Sequence, residues 1–161
     1  FLKEIGSWGR GPLEFNTPHA ITQDSRGRIL VADLVGGNFH EYMTVPNQIA
    51  EEREKAEQGA YHRIQRLNAD GTFIDEWRHI TPLSLTSYQN KIYASDKMSD
   101  LVILNEDSGE IEERIEKISI YIHQLAIDKH GDLYAASVYP EHAGEKRGKA
   151  GPSHRRWTRS L

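Results

Sequence analysis

Asp24–Asp33 reads DSRGRILVAD, and Asp128–Ser137 reads DKHGDLYAAS. In both, Gly stands three residues after an Asp, and an apolar run ending in small residues follows. This is the pattern of a β-hairpin. Gly27 and Gly131 stand where a tight turn needs positive φ, which glycine adopts freely and other residues adopt at a cost of about 1–2 kcal/mol. Ile29–Ala32 and Leu133–Ala136 then read as the strands leaving the turns. Their near-continuous apolar character suits strands covered on both faces, as in stacked sheets. A weaker copy, YQNKIYASD, lies between them at Tyr88–Asp96. There Asn90 takes the glycine position, and Asn is the next-best residue for a left-handed turn.

The first and middle copies are each followed by a second pair of strands. His62–Leu67 (HRIQRL) runs through the turn Asn68–Gly71 (NADG) into Thr72–Trp77 (TFIDEW). Asp100–Leu104 (DLVIL) runs through Asn105–Gly109 (NEDSG) into Glu110–Ile115. Asp-Gly and Ser-Gly between β-rich runs signal hairpins. The repeating unit is therefore four antiparallel strands. Phe1–Ile5 (FLKEI) resembles Phe73–Trp77 and reads as a fourth strand, while His154–Trp157 reads as a third. The units span about 15–77, 78–116 and 117–161, which predicts about twelve strands in an all-β chain of three blade-like sheets. A long insert, 38–60, interrupts the first unit. Its part Pro46–Gly59 (PNQIAEEREKAEQG) predicts a helix, with Pro near the start, Gly after the end, and Glu51 and Lys55 at i,i+4 spacing. A second insert, Tyr139–Ser153, is rich in Gly, Lys and Arg and predicts a loosely held segment.

At 161 residues the chain has the length of one ordinary domain. Its 37% hydrophobic and 27% charged residues argue against disorder. A formal net charge of −4 argues against a nucleic-acid partner, which calls for a basic surface. The absence of cysteine excludes disulfides and thiolate metal sites. No apolar run approaches the roughly 18 residues of a helical membrane span. The first residue is Phe1 rather than Met, which reads as a cut N-terminus. An export signal on a missing upstream part would place the protein in an extracellular or periplasmic compartment. Nucleophile-elbow, P-loop, Rossmann and HExxH motifs are all missing.

FNTPHAITQDSRGRILVAD at Phe15–Asp33, with HRIQRLNADGTF from His62 onward, resembles the NHL repeat. Asn38 and His62-Arg63-Ile64 match the motif that names the repeat, with the long insert placed inside it. The resemblance implies an NHL-type β-propeller, usually six-bladed, of which this chain supplies about three blades. Within the family the order of features is similar to the peptidyl-α-hydroxyglycine α-amidating lyase type and its bacterial relatives, in their C-terminal half. That likeness implies a zinc ion near the propeller axis, held by histidines at the start of the innermost strands of alternate blades. It also implies carbon–nitrogen lyase activity on a small peptide-like substrate. His19 and His123 occupy that place, each five residues before the Asp of its turn, and Leu83 stands there in the intervening unit. The third histidine would lie upstream of this chain. The Asp that helps hold calcium in the lyase is replaced by Gln124, which weakens the expectation of calcium.

The competing reading is a non-catalytic NHL scaffold that binds a protein, peptide or carbohydrate, since fold does not determine function. His19 and His123 are metal ligands in the first reading and hydrogen-bonded residues lining an axial channel in the second. Asp33 and Asp96, at the ends of their strands, read either as turn caps or as ligands. Arg63 is placed to pair with Asp33 across two strands. Trp8, Trp77 and Trp157 read as packing residues. The basic cluster Lys146–Arg156 reads as a solvated tail or an anion contact. Three blades cannot close a ring, so either a missing propeller half or a homodimer must complete it.

Overall fold

The computed structural model describes residues 3–35, 61–97, 99–119, 122–137 and 153–157. Among them every regular element is a β-strand. A short hook of two strands, β1 (Ser7–Trp8) and β2 (Glu14–Phe15), pairs in parallel at the start. The first four-stranded sheet contains β3 (Pro18–Gln23), β4 (Ile29–Val35), β5 (Tyr61–Leu67) and β6 (Phe73–Trp77). The second contains β7 (Leu85–Tyr88), β8 (Lys91–Asp96), β9 (Asp100–Asn105) and β10 (Ile111–Ile115). The third contains β11 (Ile122–Ile127), β12 (Leu133–Ser137) and β13 (Ser153–Trp157). In each sheet chain-adjacent strands pair antiparallel, in meander order.

Two of the repeating turns have one cause. In the first sheet the Asp24 carboxylate accepts the backbone N–H groups of Arg26 and Arg28, both at 2.9 Å, and Gly27 takes φ 80°. In the third, Asp128 accepts those of His130 and Asp132 at 2.8 and 3.0 Å, and Gly131 takes φ 89°. In the first and third sheets a short polar side chain thus closes the turn on its own backbone, and a glycine at positive φ completes it; in the second, Gln89 and Asn90 take φ 47° and 62° in a two-residue turn between Tyr88 and Lys91.

The sheets stack as blades. Their first strands are neighbours in sequence order: β3 packs against β7, and β7 against β11. Leu30, Ala32 and Ile64 of the first blade bury against Leu85, Ile92, Ala94, Val102 and Leu104 of the second. On its other face the second blade offers Leu101 and Tyr93 to Ile122, Leu125, Leu133 and Ala135 of the third. Alternate residues of β8 therefore face different neighbours, Ile92 and Ala94 the first blade and Tyr93 the third. At the rim carrying the tight turns, Ser25 donates its backbone N–H and hydroxyl to Glu106. Arg28 and Arg66 donate to the Glu106 carbonyl, locking the first blade to the second.

Two expectations need comment. Residues 3–5 are not a strand, contrary to the reading of Phe1–Ile5; Phe1 and Leu2 lie outside the described residues. Ile5 nevertheless occupies the repeat position of the last residue of an outer strand. A Cβ on Gly71 would lie 2.6 Å from Ile5, just as one on Gly109 would lie 2.4 Å from Trp77, the last residue of β6. Among the described residues no strand pairs with residues 3–5. The helix expected over Pro46–Gly59, the insert 38–60, and all of Tyr139–Ser153 before Ser153 lie outside the described residues, as do His40 and His142. Around His154–Trp157 the expected third strand is β13.

Acid should weaken this fold through named carboxylates. Burial works to raise the Asp128 pKa, but the His130 and Asp132 N–H groups and the Tyr134 hydroxyl outweigh it and hold it below the ordinary aspartate value. For Asp100 burial is likewise outweighed, by the Lys117 N–H, the Ser99 hydroxyl and Arg114. A carboxyl depressed on folding contributes stability above its unfolded pKa, about 3.9, and that contribution is lost as pH falls through the folded value. The urea midpoint should therefore drop below about pH 4, and the drop should be shallower in Asp100→Asn/Asp128→Asn. An acid limb unchanged by the double substitution would refute the assignment.

Candidate functional site at the axial end

Both candidate histidines are the extra residue of a β-bulge. Pro18 pairs with Asp33 and Ala20 with Ala32, so His19 has no opposite residue. Ile122 pairs with Ser137 and Gln124 with Ala136, so His123 has none either. A bulge re-aims the side chain it carries. Here it turns both rings to the same point. The ring centres lie 5.2 Å apart, edge to face at 75°, although the residues come from the first and third blades. The insert leaves and re-enters at the end of the β4–β5 ladder, Val35 opposite Tyr61, on the rim that carries His19.

The intervening blade contributes through its backbone. The Leu83 carbonyl lies 2.7 Å from His19 Nδ1. A carbonyl oxygen only accepts, so Nδ1 carries the proton, and in the neutral ring the lone pair belongs to Nε2. An acceptor on one nitrogen that sets the tautomer and aim of the other is the usual support of a metal-binding imidazole. Two serines hold this arrangement. The Ser95 hydroxyl accepts the N–H groups of Leu83 and Ser84 at 3.1 and 2.9 Å. The Ser84 hydroxyl accepts the Leu125 N–H at 2.7 Å, tying down the strand that carries His123. Neither serine is singled out by the sequence, because a buried serine and a surface serine read alike.

Asp33 and Asp96 are turned inward as caps and ion-pair partners. Asp33 accepts the N–H groups of Asn16 and Thr17, both at 2.9 Å, and pairs with fully buried Arg63. Asp96 accepts the Thr81 N–H at 2.7 Å and pairs with Arg114, also at 2.7 Å. The device repeats, but the arginine comes from the third strand in one blade and the fourth in the next. His79 contacts the Gly109 carbonyl at 2.9 Å, and His130 is exposed in its turn. Among the described residues, no three His, Cys, Asp or Glu side chains converge as a set able to hold a metal ion.

Blades built as antiparallel meanders, stacked through their first strands, define a β-propeller-type chain. It matches no protein-family model and no curated protein. Similar solved structures include the Neurospora crassa Pan2 WD40 domain, at 15% identity and TM-score 0.47, covering 77% of this chain and 32% of that one. Another is Kuenenia stuttgartiensis hydrazine synthase, at 11% identity and TM-score 0.46, covering 92% of this chain and 47% of that one. The chain spans less than half the length of either.

Proposed function

We propose that this chain is part of an NHL-type propeller whose axial end binds zinc through His19 and His123, in the manner of the amidating-lyase type. The meeting of the two rings carries this reading. Two imidazoles on one tetrahedral zinc, with Zn–N about 2.1 Å, stand with ring centres about 5 Å apart, and these stand at 5.2 Å. The His19 tautomer set by the Leu83 carbonyl supplies an Nε2 donor of the right kind. A catalytic site takes three protein ligands, so two histidines are part of a set. Bound zinc would act as a Lewis acid on the hydroxyl of an α-hydroxyglycine-type substrate. The chain's own residues orient the rings: Leu83 and Ser95 for His19, and Ser84 for the strand of His123. Cleavage of the substrate N–C bond would convert the hydroxyl to a carbonyl and leave the amide nitrogen protonated.

The inward turn of Asp33 and Asp96 favours a second reading, a scaffold that binds a protein, peptide or carbohydrate at this end without chemistry. Titration calorimetry with zinc separates the two. Saturable binding should be seen, weakened at least tenfold in both His19→Ala and His123→Ala, with circular dichroism unchanged. Binding unaffected by either substitution would sink the zinc reading and leave the scaffold.

A further inference from the structure

The second blade has Leu83 where the other two have a histidine, yet both candidate histidines depend on it. The Leu83 carbonyl and the Ser84 N–H belong to one peptide unit, and in a trans peptide they point in opposite directions. His19 Nδ1 donates to that carbonyl at 2.7 Å, while the N–H donates to Ser95 Oγ at 2.9 Å. The unit is thus held from both sides, by the first blade and by its own. Ser95 Oγ also accepts the Leu83 N–H at 3.1 Å, and the Ser95 N–H donates to the Ser84 carbonyl, also at 3.1 Å. The Ser84 hydroxyl reaches the other way. It accepts the Leu125 N–H of the third blade at 2.7 Å, two residues beyond His123. One short segment therefore links the ring of His19 to the backbone of the strand that carries His123. Ser84 is 2% exposed and Ser95 0%, so these bonds are made away from water, where losing one costs most.

The blade itself does not need these hydroxyls. Ala20 and Gln124 follow His19 and His123 as Ser84 follows Leu83, and Ala32 and Ala136 precede Asp33 and Ser137 as Ser95 precedes Asp96. Ala20 pairs with Ala32 and Gln124 with Ala136, as Ser84 bonds Ser95. Two blades thus form with alanine in the Ser95 place and without a hydroxyl in the Ser84 place. The serines belong to the blade that lies between the two histidines. We propose that Ser84 is a positioning residue of the histidine pair: its hydroxyl sets where His123 stands against His19, while Ser95 sets the aim of His19 through the Leu83 carbonyl. His123 is exposed and His19 half-buried, so the pair is open to a ligand while its supports are closed to water. The consequence for zinc affinity rests on the zinc reading, but the geometry of the pair does not.

Nuclear magnetic resonance in EDTA, at mildly alkaline pH where imidazole is neutral, tests the geometry without metal. In the native chain His19 should show the Nδ1–H tautomer, and the rings of His19 and His123 should give a cross-ring nuclear Overhauser effect. Ser84→Ala should keep the tautomer but weaken the cross-ring effect. Ser95→Ala should instead mix the two tautomers of His19. Ser84→Thr, which keeps the hydroxyl, should restore the native signals. If Ser84→Ala does not fold, Ser84→Cys, whose sulfur is a weak acceptor, takes its place with the same loss expected. Zinc affinity should fall about tenfold in Ser84→Ala, as when a metal-binding histidine loses its support, and recover in Ser84→Thr. A Ser84→Ala or Ser84→Cys protein that is less stable but keeps the native cross-ring effect would show a merely structural serine and overturn the proposal. Lost zinc affinity with that effect unchanged, or an unmixed tautomer in Ser95→Ala, would overturn it too. If the native chain binds no zinc but the ring signals respond as described, the positioning role stands and the zinc reading falls.

Discussion

Replacing Arg63 by alanine should cost about 3–5 kcal/mol, the range for removing one partner of a buried ion pair. Arg63 is fully buried on β5. Its Nε and Nη2 reach Asp33 Oδ2 at 3.1 and 3.0 Å, and Nη1 reaches Glu76 at 3.0 Å. Nη1 also donates to the Arg10 carbonyl at 2.7 Å, and Nη2 to the Glu14 carbonyl at 2.5 Å. Alanine leaves Asp33 buried without its cation and removes one donor each from the Arg10 and Glu14 carbonyls of the hook, the latter keeping Gln65. Against a typical domain stability of about 5–15 kcal/mol, that is a large fraction. Lysine should not rescue it, since one ammonium cannot span four acceptors in a fixed planar fork. The double variant Arg63→Ala/Asp33→Ala should cost less than the sum of the single variants, because each single change strands the other charge. Urea unfolding measures all of these. A cost below about 1 kcal/mol for Arg63→Ala would show that the pair is not the clamp described.

Trp77→Ala should also cost about 3–5 kcal/mol, as buried aromatic truncations do. The indole ends β6 and fills the joint between the first two blades. It lies on the Gly109 backbone and beneath the Arg66 guanidinium, 4.8 Å from the ring centre. Gly109 has φ 75°, and a Cβ there would come within 2.4 Å of the indole. Gly109→Ala should therefore be destabilising twice over, by backbone strain of about 1–2 kcal/mol and by collision. Combined with Trp77→Ala the collision disappears, so the pair should be clearly less than additive. Strict additivity in thermal or urea unfolding would refute the contact.

The blades were readable because turn chemistry is local. Asp24 and Asp128 close turns on backbone two to four residues away, so their effect is written in the neighbouring residues. The buried pair Arg63–Asp33 followed from strand pairing, and the shared place of His19 and His123 from the repeat period. That period leads to the blade but not to the direction of a side chain. Both rings meet because each residue is a bulge, and a bulge depends on the partner strand having one residue fewer. The same applies to Leu83, whose carbonyl serves His19 and whose side chain revealed nothing, and to Ser84 and Ser95.

The hook of residues 3–16 marks the clearest division. Its first residues, within Phe1–Ile5, read as a fourth strand, and Ile5 does sit where the last residue of such a strand sits. The segment folds onto the first blade, with β1 and β2 paired to each other, held by Arg63 and by Gln65, whose side chain bonds Leu13 and Glu14. Ile21 makes the same point, since it is as apolar as Leu85 and Leu125 but exposed where they are buried. The sequence by itself determined the strands, the turns and the register of the repeat, because these rest on backbone conformation and on residues a few positions apart. The tertiary structure alone decided which carboxylates turn inward, where the two imidazoles meet and which of several like apolar side chains are buried, because each depends on what a distant segment brings against it.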